Sequence, residues 1–361
     1  MKITRQLDAL GQRLWLDNIT RGLLRSGTLA RYVDEFSVTG LTSNPTIFDH
    51  AIGGSSDYDE AIRRESARCG SDEALFLALA IEDLREAARL FLPAHRASGG
   101  IDGWVSLEVS PLLADDARGT VDEAAKLHAQ AACPNLFVKI PGTAAGVQAI
   151  EASVFAGIPI NVTLLFSRTQ YEAAADAYLR AIERRIAGGL DPQVHSVASL
   201  FVSRWDVAAN DKVPPALRNR LGIAVAKDTY RAYRRLLASP RWRKLAAAGA
   251  LPQRVLWAST GTKDPSAADT LYVEALAAPD TIDTLPDKTL LAFVDHGRLG
   301  PPMPDDGGDA DAVLAQFRAA GVDVEALAAR LQRDGADAFV KSWRELLARV
   351  GAKRASLAVT S

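Results

Sequence analysis

The sequence predicts an α/β fold: a single (β/α)8 TIM barrel with extra helices and a helical C-terminal extension. Three observations predict it. Eight short apolar runs recur along the chain, helical patterns lie between them, and no G-x-G-x-x-G turn follows the first run. Strand–helix alternation sustained this long argues for a parallel sheet with helices outside. Eight units favour closure, whereas the alternative, a doubly wound open sheet, usually carries the Gly-rich turn.

Taken in order, the candidate strands are RLWLDN (13–18), VTGLTSN (38–44), GWVSLEV (103–109), LFVKIPG (136–142), PINVTLLF (159–166), HSVASLFVSR (195–204), RVLWAST (254–260) and TIDTLP (281–286). Most are nearly continuous apolar stretches, as strands buried on both faces require. The connections are uneven. Residues 45–102 leave room for two or three helices, among them DEALFLALAIEDLREAARLFL (72–92), with apolar residues at helical spacing. SRTQYEAAADAYLRAIERRIAGG (167–189) opens on Ser167, an N-cap residue type, and closes on Gly188 and Gly189. Another helical stretch, 215–248, precedes the seventh strand.

The tail beyond Pro301 is helical in pattern, with a DDGGD loop at 305–309. In 336–350, Phe339, Trp343, Leu346 and Leu347 share one face and are expected to dock on the barrel. The tail is too short for a core of its own. We therefore expect residues 1–361 to form one barrel domain, with 301–361 as a helical tail packed on it.

Composition bounds the function. Lys+Arg number 42 and Asp+Glu 44, a formal charge of −2, so no broadly positive surface offers itself to nucleic acid. Hydrophobic residues make up 48% and charged residues 24%, enough apolar area for a large core. Two cysteines, Cys69 and Cys133, cannot form a disulfide framework and suit a reducing compartment. The five histidines, at 50, 95, 128, 195 and 296, make no H-x-x-x-H pair, and no metal site is expected. The charged N-terminus lacks the apolar segment of a signal peptide, and no run is long enough to span a bilayer. A soluble, cytoplasmic protein without membrane partners is the expectation.

Within strands that bury both faces, the polar residues are the informative ones. Lys139 sits in Leu136-Phe137-Val138-Lys139-Ile140-Pro141. Burying an ammonium group is costly unless it is neutralised or paired. Desolvation favours the neutral amine, which makes such a lysine a candidate Schiff-base nucleophile. A structural ion pair, or a stem reaching solvent at the strand end, is the alternative. Glu108 shares a face with Ser106, and Asn161 with Thr163, by the two-residue period. Asp17 and Asn44 end the first two runs; a helix cap and a turn before Pro45 are their structural alternatives. Together these residues cluster where barrels keep their chemistry, at the C-terminal strand ends. Ser199, Arg204 and Lys263 follow in the sixth and seventh units, where phosphate sites are common and surface cations equally so. His296 is expected to be a loop or structural histidine.

The segments TSNPTIF (42–48), SLEV (106–109), LFVKIPGT (136–143), INVTLLFS (160–167), Ser199–Arg204, WASTGTKD (257–264), TLYVEAL (270–276) and TIDTLP (281–286) carry a resemblance over essentially the whole chain. The sequence resembles the transaldolases, class I aldolase-type transferases of the pentose phosphate pathway, in their long bacterial form. The resemblance implies a (β/α)8 barrel, a Schiff base on Lys139, acid–base work by Asp17, and a water held by Glu108 and Thr163. It implies that Asn44 and Asn161 bind the dihydroxyacetone unit, that Ser199 contacts substrate, and that Arg204 binds phosphate. Many members carry a second phosphate arginine in an S-F-R segment. Here the segment is Ser259-Thr260-Gly261-Thr262-Lys263, and the role falls to Lys263, a point charge rather than a fork. Sugar phosphates are the implied partners, with no cofactor and a monomer or homodimer as the acting form. A shorter aldolase-like lyase and a non-catalytic sugar-phosphate binder on the same barrel are the rival readings.

Overall fold

The computed structural model of the protein describes residues 2–359. Eight strands, β1 (Arg13–Asp17), β2 (Val38–Thr42), β3 (Val105–Glu108), β4 (Leu136–Pro141), β5 (Ile160–Leu165), β6 (Ser196–Phe201), β7 (Arg254–Ala258) and β8 (Ile282–Leu285), close a barrel in chain order. Every neighbouring pair is parallel, and β8 closes on β1. Strands β3 to β8 are buried at every position, the pattern of strands covered on both faces.

Register places the polar residues. Glu108 lies opposite Lys139, which lies opposite Asn161, so three adjacent strands present chemistry at one height. Asp17 pairs with Thr42 at the ends of β1 and β2. Gly40 is where β2 admits Trp15: a Cβ there would stand 2.7 Å from the indole and 2.7 Å from the Trp104 carbonyl. The opposite end of the barrel is filled by aromatic rings, with Trp104 stacked on Phe137 at 4.1 Å and Trp15 donating to Asp102 at 2.9 Å.

Two strand ends leave regular geometry. Leu164 has φ of 57° where the β5–β6 register shifts, and Ser259, just past β7, has φ of 56°. Residues other than glycine occupy this left-handed region at a steric cost, and such strain gathers at functional sites.

The helices follow their caps. Ser167 accepts the Gln170 amide at 3.2 Å to open the helix Arg168–Ala187, which stops at Gly188. Residues 45–102 form three helices, Pro45–Gly54, Asp59–Ser66 and Asp72–Ala97, the last running through Pro93 and past the expected boundary at 92. His296 ends the helix Asp287–His296, exposed and paired with Asp269 and Asp295. It is a helix-end residue rather than a loop one.

The tail folds as Ala310–Ala319 and a 36-residue helix, Val324–Val359. At 1.5 Å rise per residue that helix is about 54 Å long, enough to cross the barrel. Trp343 packs edge-on against Phe76 at 5.2 Å, Phe339 and Leu346 are buried, and Leu347 is partly buried. Arg349 pairs with Asp49 at 2.6 Å, and Arg354 donates to the Ser66 and Cys69 carbonyls. The tail thus grips the helices inserted between β2 and β3. No helix among the described residues is long and apolar enough to cross a membrane.

Candidate active site

Lys139 stands on β4 with its side chain inside the barrel mouth, and the residue is 5% exposed. Its Nζ donates to the Ser43 carbonyl at 2.8 Å and to Glu108 Oε2, from β3, at 3.3 Å. The ion-pair and nucleophile readings of this lysine are therefore compatible: the amine has a carboxylate beside it and still borders an open cavity. Glu108 is 6% exposed, and burial pushes its pKa above the ordinary carboxylate value, with the Lys139 charge and hydrogen bond opposing. A carboxylate so placed holds a proton more readily than an exposed one, as a group that relays protons must.

Asp17 ends β1 on the other side of the mouth. Its Oδ1 accepts from Thr42 Oγ1 at 2.7 Å, and Thr42 in turn lies 2.7 Å from the Thr284 hydroxyl. A Thr42 hydroxyl that donates to Asp17 can only accept from Thr284, so the three form an ordered chain. Enclosure by the barrel raises the Asp17 pKa, and Asp287 adds to the rise; Lys139, the Thr42 bond and Lys263 act against it. Asp17 caps no helix: the next N-cap is Thr20.

Asn161 is wholly buried. It accepts from Ser199 at 2.7 Å and donates to Ser106 at 3.2 Å, joining β5 to β6 and β3. Thr163, two residues on, is also fully buried, and its Oγ1 has no hydrogen-bond partner in the protein. A lone buried hydroxyl is costly unless a bound molecule completes it. Asn44 does cap the helix Pro45–Gly54, accepting the Ile47 amide through Oδ1 at 3.1 Å. Its Nδ2 remains to serve the cavity that it lines.

That cavity, of about 130 Å³, is walled by Asp17, Asn44, Lys139, Thr163, Ser199, Arg204 and Lys263 among others. Seven of the nine residues singled out from the sequence face one space. The other two are one bond behind the wall, Glu108 on Lys139 and Asn161 on Ser199. Arg204 makes no ion pair among the described residues; its guanidinium lies 5.1 Å from the Phe201 ring and 5.8 Å from that of Phe339. Lys263 is exposed at the rim. A guanidinium without an ion pair and a rim ammonium beside the amine are the kinds of groups that receive an anion.

Sequence reasoning missed Thr42 as a partner of Asp17, the Ser43 carbonyl, Thr284, Phe201 and the cavity-facing role of Phe339. Thr284 had a signal, a polar residue inside the run TIDTLP, of the same kind that marked the other strands. The Ser43 carbonyl had none, since a backbone acceptor carries no residue identity.

The chain matches the family model described as Transaldolase/Fructose-6-phosphate aldolase across residues 14–350. It is 46% identical to a protein of Thiobacillus denitrificans named Transaldolase, over 97% of this chain and 100% of the relative. Proteins of the same name from Parafrankia sp. and Neisseria meningitidis serogroup A are 45% and 42% identical, over 94% and 96% of this chain and 95% and 99% of theirs.

Proposed function

Because the chain belongs to the transaldolase/fructose-6-phosphate aldolase family, we propose that it is a transaldolase that moves a dihydroxyacetone unit between sugar phosphates through a Schiff base on Lys139. Sedoheptulose 7-phosphate or fructose 6-phosphate is the donor. Glyceraldehyde 3-phosphate or erythrose 4-phosphate is the acceptor, in the non-oxidative pentose phosphate pathway. The observation that carries this reading is the Lys139 amine, buried on a strand, 3.3 Å from a carboxylate and bordering a cavity that also holds Asp17 and two cations.

The chemistry follows from the distances. Lys139 yields a proton to Glu108, and the freed lone pair of Nζ attacks the ketose C2. Glu108 returns that proton to the C2 oxygen, then relays a second from the adduct nitrogen to the same oxygen, which leaves as water and creates an iminium. The raised pKa of Glu108 suits both halves of this exchange. The C3–C4 bond then breaks, its electron pair flowing into the iminium to form an enamine. The C4 hydroxyl gives its proton to Asp17, made more basic by enclosure and held in place by Thr42. The aldehyde leaves, another enters, and the enamine attacks it as Asp17 hands the proton back. Thr163, with its uncommitted hydroxyl, holds the water of imine formation together with Glu108.

Asn44 and Asn161 hold the dihydroxyacetone unit, and Ser199, whose hydroxyl donates to Asn161, contacts substrate on the wall. Arg204 and Lys263 take the phosphate; Arg204 supplies the planar fork and Lys263 a mobile point charge. Product analysis tests transfer. Fructose 6-phosphate with erythrose 4-phosphate yields sedoheptulose 7-phosphate and glyceraldehyde 3-phosphate, in equal amounts. Turnover that releases dihydroxyacetone without an acceptor aldehyde would instead make the protein a lyase.

A further inference from the structure

We propose that the C-terminal helix is a working part of the site, with Phe339 as a positioning residue that holds the Arg204 guanidinium in place for phosphate. This rests on the reading of Arg204 as the phosphate ligand. Arg204 has rings on it from two separate places in the chain, Phe201 at the end of β6 at 5.1 Å and Phe339 from the C-terminal helix at 5.8 Å. Phe201, Arg204 and Phe339 all line the cavity. A guanidinium between aromatic faces keeps its outward N–H groups free for an anion, whereas one paired with a carboxylate does not. Arg204 makes no ion pair among the described residues, although the Glu108 charge acts on it at longer range, and the two rings are its aromatic side-chain contacts.

The helix is seated for this purpose by two further residues on the same face. Gln332, Gly335 and Phe339 fall at helical spacing, continuous with the buried Trp343, Leu346 and Val350. Gln332 Nε2 donates to the Gly142 carbonyl at 2.9 Å and the Leu164 carbonyl at 3.0 Å. Gly142 follows the strand that carries Lys139, and Leu164 is the strained residue next to Thr163. At Gly335 a Cβ would lie 3.0 Å from Leu164 Cδ2 and 3.1 Å from Arg204 Nη1, tighter than ordinary contact. Lack of a side chain there brings the helix down until Phe339 reaches the guanidinium.

A free arginine side chain loses rotamer entropy when it binds; a clamped one has lost it already, and affinity rises accordingly. A cation–π contact in a partly desolvated site corresponds to about a threefold to tenfold change in affinity. The experiment compares the parent with Phe339→Leu, which keeps apolar bulk without a ring, and Phe339→Tyr, which keeps the ring. Inorganic phosphate binding by calorimetry is read beside the KM and kcat for fructose 6-phosphate. Phe339→Leu is expected to raise the phosphate Kd and the KM by about threefold to tenfold with kcat within about twofold, and Phe339→Tyr to stay near the parent. Unchanged phosphate affinity in Phe339→Leu, or equal losses in both variants, overturns the proposal. Phosphate binding needs no covalent step, so this failure is distinct from a failure of the Lys139 chemistry.

Discussion

At the scale of single residues, the barrel holds carboxyl groups in three different states of compensation. Glu108 has an ammonium beside it, Asp17 has a hydroxyl and cations at longer range, and Asp283 has one hydroxyl alone. Asp283 is fully buried on β8; Thr260 donates to its Oδ1 at 2.9 Å, and its Oδ2 has no partner. Burial pushes its pKa up to about 8, with the Thr260 bond opposing. Below the ordinary value of 3.8 the folded and unfolded chains both hold the proton, and the group costs nothing. Between there and about pH 8 only the folded chain holds it, so stability falls as pH rises, by up to about 1.4 kcal/mol per unit. Above that the loss levels off. Asp283→Asn keeps the shape without the proton. Its stability advantage over the parent is expected to grow from pH 5 to pH 8 and then hold, in urea titrations across that range. An advantage that does not change with pH would show that Asp283 is ionised in the fold.

At the scale of elements, the ends of β4 and β5 depend on a helix far away in sequence. Gln332 satisfies two carbonyls that the barrel leaves open, at Gly142 and Leu164. These bonds are partly buried, and removing one side leaves its partner short of a hydrogen bond at about 1 kcal/mol or more. Gln332→Ala is expected to lower stability by about that amount and to lower kcat as well, since Lys139 and Thr163 lie one to three residues from those carbonyls. A stability loss with kcat intact would confine Gln332 to a structural role.

The elements themselves were legible in the sequence wherever burial on both faces writes a continuous apolar run. All eight runs contain an observed strand, and the Ser167 cap and Gly188 stop fall where expected. The helix Asp72–Ala97 outran its pattern because Pro93 sits where the chain keeps its helical path, against the usual penalty for proline in a helix interior. The site was legible through polar residues out of place in those runs, which is why Lys139, Glu108 and Asn161 stood out. Phe339 was legible only as an apolar residue on a docking face. Nothing in a local pattern says whether such a ring meets another apolar group or a cation across the barrel mouth.

At the scale of the whole molecule, closure and the tail act together. Parallel register sets Glu108, Lys139 and Asn161 side by side on three strands. Closure of β8 on β1 brings Thr284 to Thr42 and so to Asp17. The C-terminal helix then adds Phe339 to the wall of the cavity beside Arg204. Each layer of order places a group that the preceding one leaves free, and the Lys139 amine is the point on which they converge. Borohydride reduction in the presence of fructose 6-phosphate, followed by peptide mapping, tests that convergence most directly. The account predicts a three-carbon adduct on Lys139 and on no other lysine. Catalytic turnover with no adduct at Lys139 would contradict it.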